Sequence, residues 1–281
     1  MQVAASGLAC AVTTSSPPPR TRLGIVGVGE IGSAIVDGLC NGIEPADTPV
    51  ICLSPRGAST AQRLAEQCST VMVGADNQAV ADHADVLVIA VRPESMRAAM
   101  SKVRVRPGTV VISVVAGVDH DELRGLLGAD VDLVRAIPLP AVRHRTSLTA
   151  TYPAHRAATD LFNRLGRVLE LSDDQAFSAL SAATGTISTQ LAFLSAISAW
   201  IAQQGIAPVA ADRYVRSLFV GLGEGLADPT QTLDELVAAH ETPGGLNNQL
   251  RTAWFNPEVS ALHAQLDALL GRIGHPQARR A

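Results

Sequence analysis

The chain has 281 residues, of which 47% are hydrophobic and 17% are charged, and its formal net charge is −4. This length and apolar share allow one large domain or two modest ones with a sizeable core. The slightly acidic balance excludes the basic surface that is typical of nucleic-acid-binding proteins. Its cysteines show no paired spacing, which argues against a disulfide framework or a metal site and favours a reducing, cytoplasmic compartment; they are Cys10, Cys40, Cys52 and Cys68.

Residues 1–21 are small, polar and rich in proline. They lack the basic start and the sustained apolar run of a signal peptide. A transit peptide would normally carry several arginines, and Arg20 is the only arginine in the first twenty residues. We therefore predict a disordered extension.

From residue 22 to residue 152, short apolar runs alternate with segments of helical spacing. The predicted strands are Leu23–Val26, Val50–Leu53, Val71–Val73, Val86–Val91, Val110–Val115 and Leu133–Ile137. The predicted helices begin near Ile31, Ala58, Asn77, Glu94 and Asp119. Uninterrupted valine and isoleucine runs between helices indicate a parallel sheet that is covered on both faces. Right-handed crossovers favour a doubly wound α/β sheet of the Rossmann type.

The first predicted strand leads into a G-x-G-x-x-G run formed by Gly27, Gly29 and Gly32. Between a strand and a helix, the first glycine permits a tight turn and the second lets a pyrophosphate approach the backbone. The third lets the helix pack closely on the strand. The amides of Glu30 and Ile31 would face the phosphates at the helix N-terminus. The run predicts a dinucleotide cradle; a glycine turn without a ligand is the alternative.

The turn after the second predicted strand bears on the choice of cofactor. NAD-binding domains usually place an acidic residue there to accept hydrogen bonds from the ribose hydroxyls. Here Ser54 and Arg56 occupy that turn, in "VICLSPRGAS". A guanidinium can bind a 2′-phosphate through paired, charge-assisted hydrogen bonds, whereas an acid would repel it. We therefore predict NADP(H), with a solvated loop charge as the alternative role of Arg56.

After residue 152 the strand-like runs largely disappear, apart from Arg167–Leu171, and alanine- and leucine-rich segments follow. The predicted helices are Asp174–Ser181, Thr186–Gln204, Pro208–Ala227, Leu233–His240 and Pro257–Arg272. We therefore predict an NADP-binding domain over residues 22–152 and an all-helical dimerisation and substrate domain over residues 153–275.

The segment from Gln175 to Ala211 contains no charged residue. A membrane span needs about 20 predominantly apolar residues, and serine, threonine, glycine and glutamine repeatedly interrupt this segment. A membrane helix therefore remains the lesser alternative. The favoured interpretation is a set of helices buried within a subunit or in a homodimer or higher assembly.

Several stretches resemble pyrroline-5-carboxylate reductase, the NAD(P)H-dependent enzyme that makes proline. They are "GVGEIG" (27–32), "SPR" (54–56), "ADN" (75–77), "ADVLVIAVRP" (84–93), "VISVVAGV" (111–118), "RAIPLPAV" (135–142) and "TPGG" (242–245). The resemblance implies a dinucleotide-binding domain followed by a helical dimerisation domain. It also implies further cofactor-binding residues, namely Asn77 at the adenosine portion and Ala90, Val91, Arg92, Pro93, Ala116 and Gly117.

The chemistry that the resemblance implies is hydride transfer to the carbon of a cyclic imine. In "ETPGGLNNQ", a Gly-Gly turn that opens a helix can present amides to a carboxylate, and Thr242 can cap the helix. A simple capped helix start is the alternative. The predicted substrate-binding residues are Gly244, Gly245, Leu246 and Asn247, and the predicted catalytic residues are Thr242 and Asn247.

The departures from the family cluster in the substrate segments. Asn247 stands where the family usually has a threonine, and an amide can donate a hydrogen bond but cannot serve as a useful acid. The run Arg143–Arg145 adds positive charge, which indicates either a ligand contact or a solvated loop. The predicted function is NADPH-dependent reduction of 1-pyrroline-5-carboxylate. The alternatives are a related reductase of another cyclic imine or a small keto acid, and a catalytically inactive NADP-binding protein.

Overall fold

The computed structural model describes residues 20–127, 131–255 and 261–274. Most of the predicted N-terminal extension and Pro257, the predicted start of the last helix, lie outside these ranges. The chain forms two compact units. The first contains residues up to 115 together with 124–149 and 155–168, and the second contains 116–123, 150–154 and the residues from 169 onward.

A single eight-stranded sheet has the strand order β3-β2-β1-β4-β5-β6-β7-β8. Its strands are β1 (Arg22–Val26), β2 (Val50–Leu53), β3 (Val71–Val73), β4 (Val86–Ile89), β5 (Val110–Ser113), β6 (Asp132–Ile137), β7 (Ser147–Tyr152) and β8 (Gly166–Glu170). The first six strands pair in parallel, and Leu23 is in register with Ile51 on one side and Val86 on the other. The order reverses direction at β1, which confirms the predicted doubly wound sheet.

The helices of the first part of the chain alternate with these strands. They are α1 (Glu30–Cys40), α2 (Ala58–Gln67), α3 (Asn77–His83), α4 (Pro93–Met100), α5 (His120–Leu127) and α6 (Arg156–Asn163), with 3₁₀ turns at Pro45–Asp47 and Pro140–His144. Ile35 and Leu39 of α1 and Phe162 of α6 are almost fully buried in one core with Ile25, Ile51 and other strand residues. Each such side chain contributes about 1.5–3 kcal/mol through burial, so this core holds α1 and α6 against the sheet.

Two elements of this part of the chain differ from the sequence prediction. Strand β7 and helix α6 were not predicted, because "SLTATY" is rich in hydroxyl side chains and lacks a valine or isoleucine run. Thr149 and Thr151 are nevertheless completely buried. The sheet therefore continues beyond the predicted domain boundary near residue 152, and that boundary stays a prediction.

Two cysteines that seemed unrelated in the sequence lie side by side. The Sγ atoms of Cys40, at the end of α1, and Cys68, just after α2, are 2.7 Å apart. Burial and the neighbouring thiol raise the pKa of Cys40 well above its ordinary value. Both thiols are free, and the spacing of 28 residues gave no sign that the ends of two helices meet.

The second unit is built mainly from helices. They are α7 (Asp174–Ala183), α8 (Thr186–Gln203), α9 (Pro208–Val220), α10 (Gly223–Ala227), α11 (Leu233–Ala239), α12 (Leu246–Trp254) and α13 (Leu262–Gly274). The predicted helix from Pro208 to Ala227 is interrupted at Gly221, which separates α9 from α10.

The helices of the second unit expose large apolar side chains. No residue of α8 is buried, and Leu191 and Trp200 in this helix are 61% and 60% exposed. Val209 and Leu218 in α9 are also exposed. By length and composition alone, Asp174–Gln203 is apolar enough to cross a membrane. An apolar surface of this kind needs a covering partner or an apolar solvent.

Candidate functional site

The glycine run forms a tight turn between β1 and α1. Gly27 has a φ of +103°, and a Cβ atom there would lie 2.6 Å from the carbonyl of Ala90. Gly32 packs against the carbonyl oxygen of Gly27, where a side chain would not fit. Around Gly29, by contrast, a Cβ atom would meet nothing within 4 Å. The fold itself requires Gly27 and Gly32, whereas Gly29 leaves open space next to the backbone.

Ser54 closes the turn from the neighbouring strand. Its side chain is buried, and its hydroxyl oxygen accepts a hydrogen bond of 2.9 Å from the amide of Gly27. Its own amide donates to the carbonyl of Ile25. The Ser54 hydroxyl therefore holds Gly27, the first glycine of the run, in place. The sequence predicts a contact of the same hydroxyl with the cofactor.

A cavity of about 390 Å³ opens beside this turn, within the range of small-molecule sites. Of the predicted cofactor residues, those that line it are Gly27, Gly29, Ser54, Arg56, Asn77, Ala90, Val91 and Arg92. The cavity is also lined by Gly57, Glu94 and Ser95, which no sequence pattern predicted. They lie one to three positions beyond predicted residues, in the turns that begin α2 and α4, and this adjacency was the available signal.

Some predicted cofactor residues do not line this cavity. Glu30, Ile31 and Gly32 belong to the first turns of α1, and Pro93 is the first residue of α4. Ala116 and Gly117 follow β5 in residues that belong to the second unit. The cofactor role of these six residues stays a prediction, as does that of the residues that line the cavity.

Arg56 brings an unpaired positive charge to the wall of the cavity. Arg56 is exposed, and within the described ranges no carboxylate lies within 4 Å of its guanidinium. Gly57, with a φ of +90°, follows it and begins α2. Arg56 is therefore free to bind an anion. Asn77 also lines the cavity, and its side-chain amide donates to the carbonyl of Ala99 at 2.9 Å.

The two arginines of the run Arg143–Arg145 bind other groups of the protein. Nε of Arg143 lies 3.0 Å from Oδ2 of Asp37, and its Nη1 lies 3.3 Å from Oε1 of Glu30. Arg145 donates to the carbonyl oxygens of Gly38, at 2.8 Å, and Asn41. Both arginines therefore bind α1, the helix that follows the glycine run.

The predicted substrate segment lies in the second unit. Helix α12 begins at Leu246 directly after the Gly-Gly turn, as predicted, and Leu246 is 84% exposed. Gly245 occupies the N-cap position without a side-chain cap, so the expectation that Thr242 caps this helix was wrong. The backbone carbonyl of Thr242 accepts from the Gly245 amide at 2.8 Å instead.

The side chains around this turn are already engaged. Nδ2 of Asn247 donates to the backbone carbonyl of His240 at 2.7 Å, and Nδ1 of His240 lies 2.8 Å from the carbonyl of Leu236. Glu241 binds Arg251, and this hydrogen bond lowers the pKa of Glu241 to about 2. Asn247 therefore acts as a donor within its own turn, and His240 caps a helix end.

Within the described ranges, no three histidine, cysteine, aspartate or glutamate side chains lie close enough together to hold a metal ion.

Several known proteins are similar in sequence to this chain. The family model described as "NADP oxidoreductase coenzyme F420-dependent" matches residues 22–117. The pyrroline-5-carboxylate reductase of Pseudomonas aeruginosa is 26% identical over 175 residues, which cover 59% of this chain and 63% of that protein. The chain is similar to the pyrroline-5-carboxylate reductases. The enzyme of Aquifex aeolicus extends the match to 232 residues at 24% identity, with 80% of this chain and 85% of that protein covered.

Solved structures agree on the fold of these reductases. The pyrroline-5-carboxylate reductase of Coxiella burnetii superposes with a TM-score of 0.73 at 22% identity, covering 92% of this chain and 98% of that one. A reductive aminase from Aspergillus terreus, solved with NADPH and ethyl-5-oxohexanoate, gives a TM-score of 0.56 at 16% identity and covers 93% and 95%. The comparisons confirm both the resemblance and the fold class that the sequence predicts.

Proposed function

We propose that the chain is an NADPH-dependent reductase that transfers a hydride to the carbon of a cyclic imine, with 1-pyrroline-5-carboxylate as the expected substrate. The observation that carries the proposal is the cavity beside Gly29. It combines open space next to the backbone with an exposed, unpaired arginine at its wall. The relatives of the chain support the choice of reaction, since the sequence matches are pyrroline-5-carboxylate reductases.

The residues present fit NADP(H). The open backbone at Gly29 and the start of α1 would receive the pyrophosphate, since helix N-termini attract anions. Arg56 would bind the 2′-phosphate, and Asn77, which lines the same cavity, would contact the adenosine portion. When bound, the cofactor supplies the hydride. The protein's task is to orient it and to exclude water from the reacting atoms.

In this proposal the substrate segment binds a carboxylate. The amide of Gly244 and the exposed start of α12 offer hydrogen-bond donors and a favourable helix dipole, whereas the Gly245 amide already donates to the carbonyl of Thr242. Asn247 cannot donate a proton to the product amine, because an amide is not a useful acid. We therefore expect the imine to be reduced in its protonated form, with the proton taken from solvent.

The test is oxidation of NADPH by purified protein, followed by absorbance, with 1-pyrroline-5-carboxylate as the first substrate. NADH under the same conditions is the control for cofactor choice. Turnover with NADPH and formation of proline would support the proposal. NADPH binding without turnover on any imine or keto acid would instead favour a catalytically inactive binding protein.

A second candidate is reduction of a different cyclic imine or a small keto acid. The observation that favours it is Asn247, whose side chain is tied to the carbonyl of His240 instead of being a free hydroxyl. The structural similarity to a reductive aminase is compatible with such a substrate range. A panel of cyclic imines of different ring size decides between the two. A kcat/KM for 1-pyrroline-5-carboxylate well below that of another imine would identify the second candidate.

We also propose that two copies cover each other's exposed helices in a homodimer. Side chains such as Leu191, Trp200 and Val209 are exposed across α8 and α9, and burial of each would contribute about 1.5–3 kcal/mol. Light scattering at micromolar concentration should give twice the monomer mass. A monodisperse monomer would contradict the dimer, and partition of the protein into liposomes would favour the membrane alternative.

A further inference from the structure

We propose that Arg143 is a positioning residue of the cradle, which holds the carboxylate of Glu30 away from the bound phosphates and neutralises it. This inference rests on the proposed NADP(H) function. It concerns a residue that no motif of the chain singles out for such a role.

The carboxylate of Glu30 would repel the phosphates that the cradle is proposed to bind. Glu30 is the first residue of α1 and follows Gly29 directly, so it stands at the helix end that would receive the pyrophosphate. An acidic residue in the first turn stabilises a free helix, but two negative charges at the same site repel each other. Glu30 must therefore be turned aside or paired with a positive charge when the phosphates bind.

Arg143 forms an ion pair with Glu30. Its Nη1 lies 3.3 Å from Oε1 of Glu30. The neighbouring residues Val28 and Gly29 line the cavity, but Glu30 does not. The carboxylate is thus directed to Arg143 and not into the space beside the turn.

The guanidinium of Arg143 is itself anchored. Its Nε lies 3.0 Å from Oδ2 of Asp37, whose side chain is only 10% exposed. The 3₁₀ turn that carries Arg143 packs tightly on α1, because the carbonyl of Val142 occupies the place of a side chain at Gly38. A fixed guanidinium loses little freedom when it holds a second carboxylate, so the pair with Glu30 is preorganised.

The experiment compares four variants by fluorescence titration with NADPH and by competition with 2′-AMP, which has the 2′-phosphate but no pyrophosphate. The variants are R143Q, E30Q, the double variant E30Q/R143Q, and R22Q. The last removes an arginine from an exposed ion pair with Asp85 at the opposite end of β1, so it matches the change in charge. A denaturant unfolding curve for each variant verifies that it is folded.

For R143Q we expect the Kd for NADPH to rise about fivefold or more, as for coupled charged groups in contact. The Kd for 2′-AMP should stay within about twofold, since its phosphate meets Arg56 and not Glu30. E30Q/R143Q should recover most of the lost NADPH affinity, and R22Q should bind as the unmodified protein does. Recovery in the double variant is the result that a merely structural role of Arg143 would not give.

Three results would overturn the inference while the proposed function stands. They are unchanged NADPH affinity in R143Q, an equal loss of NADPH and 2′-AMP affinity, and a double variant that binds as weakly as R143Q. If the unmodified protein fails to bind NADPH at all, both the inference and the proposed function fail.

Discussion

Replacement of Gly29 by alanine should separate binding from folding. The backbone at Gly29 is extended, with φ −83° and ψ −156°, so alanine can adopt it. Its Cβ atom would meet no protein atom within 4 Å. Loss of a glycine from the unfolded chain typically stabilises a protein by about 0.4–1 kcal/mol, but Gly29 is the N-cap residue of α1, where alanine is less favourable than glycine by a similar amount. In the complex, however, the methyl group would occupy space needed by the pyrophosphate, and overpacking of that kind costs about 1–3 kcal/mol.

We therefore expect G29A to unfold at about the same denaturant concentration as the unmodified protein and to bind NADPH about 5- to 150-fold more weakly. The matched control is G27A, which places alanine at a φ of +103° against the carbonyl of Ala90. A strained conformation of this kind costs about 1–3 kcal/mol, so G27A should lose stability. Guanidinium unfolding and NADPH fluorescence titration measure the two quantities. A G29A variant that binds NADPH as well as the unmodified protein would refute the assignment of the cradle.

Three further changes test other parts of the chain. Replacement of Arg56 by glutamine should lower the ratio of kcat/KM for NADPH to that for NADH about tenfold, since a charge-assisted hydrogen bond is lost; an unchanged ratio would contradict the 2′-phosphate role. Oxidised glutathione should convert the thiols of Cys40 and Cys68 into a disulfide while it is reduced to two glutathione thiols. This closes a loop of 28 residues and raises the free energy of unfolding by about 3.5 kcal/mol; a mass spectrum without the cross-link would oppose it. Glu241, held by Arg251, has a folded pKa of about 2 against an ordinary 4.5, so its contribution to stability is complete above pH 4.5 and is lost as the pH falls towards 2. E241Q should remove the decrease of Tm that protonation of Glu241 causes between pH 4.5 and 2. The same dependence of Tm on acid pH in E241Q and in the unmodified protein would contradict this role of Glu241.

The parallel part of the sheet was predictable because its signals are local. The bounds of β2 and β3 agree with the valine and isoleucine runs that predicted them. Strand β7 was missed, because Thr149 and Thr151 are polar residues that the fold buries completely. Their hydroxyl oxygens have no hydrogen-bond partner among the described atoms. A strand whose buried side chains carry hydroxyl groups does not show the alternation of apolar and polar residues that would predict it.

The candidate site likewise contains features that are encoded locally in the sequence and contacts that join distant parts of the chain. The glycine turn and Arg56 could be predicted, since a turn between a strand and a helix is encoded within a few residues. The partners of Arg143 lie 106 and 113 residues away in the chain. Its role could not be inferred from the run of basic residues in which it stands. The pair of Cys40 and Cys68 was missed for the same reason.

The hydrogen bond between Ser54 and Gly27 limits how the cofactor preference could be engineered. A common design for a change from NADP to NAD places an acid at the end of the second strand. Ser54 is 1% exposed, and its hydroxyl supports the Gly27 amide, so an aspartate or glutamate there would crowd the core and strain the turn. Redesign should leave Ser54 in place and begin at Arg56, whose exposed side chain can be exchanged without disturbing the cradle.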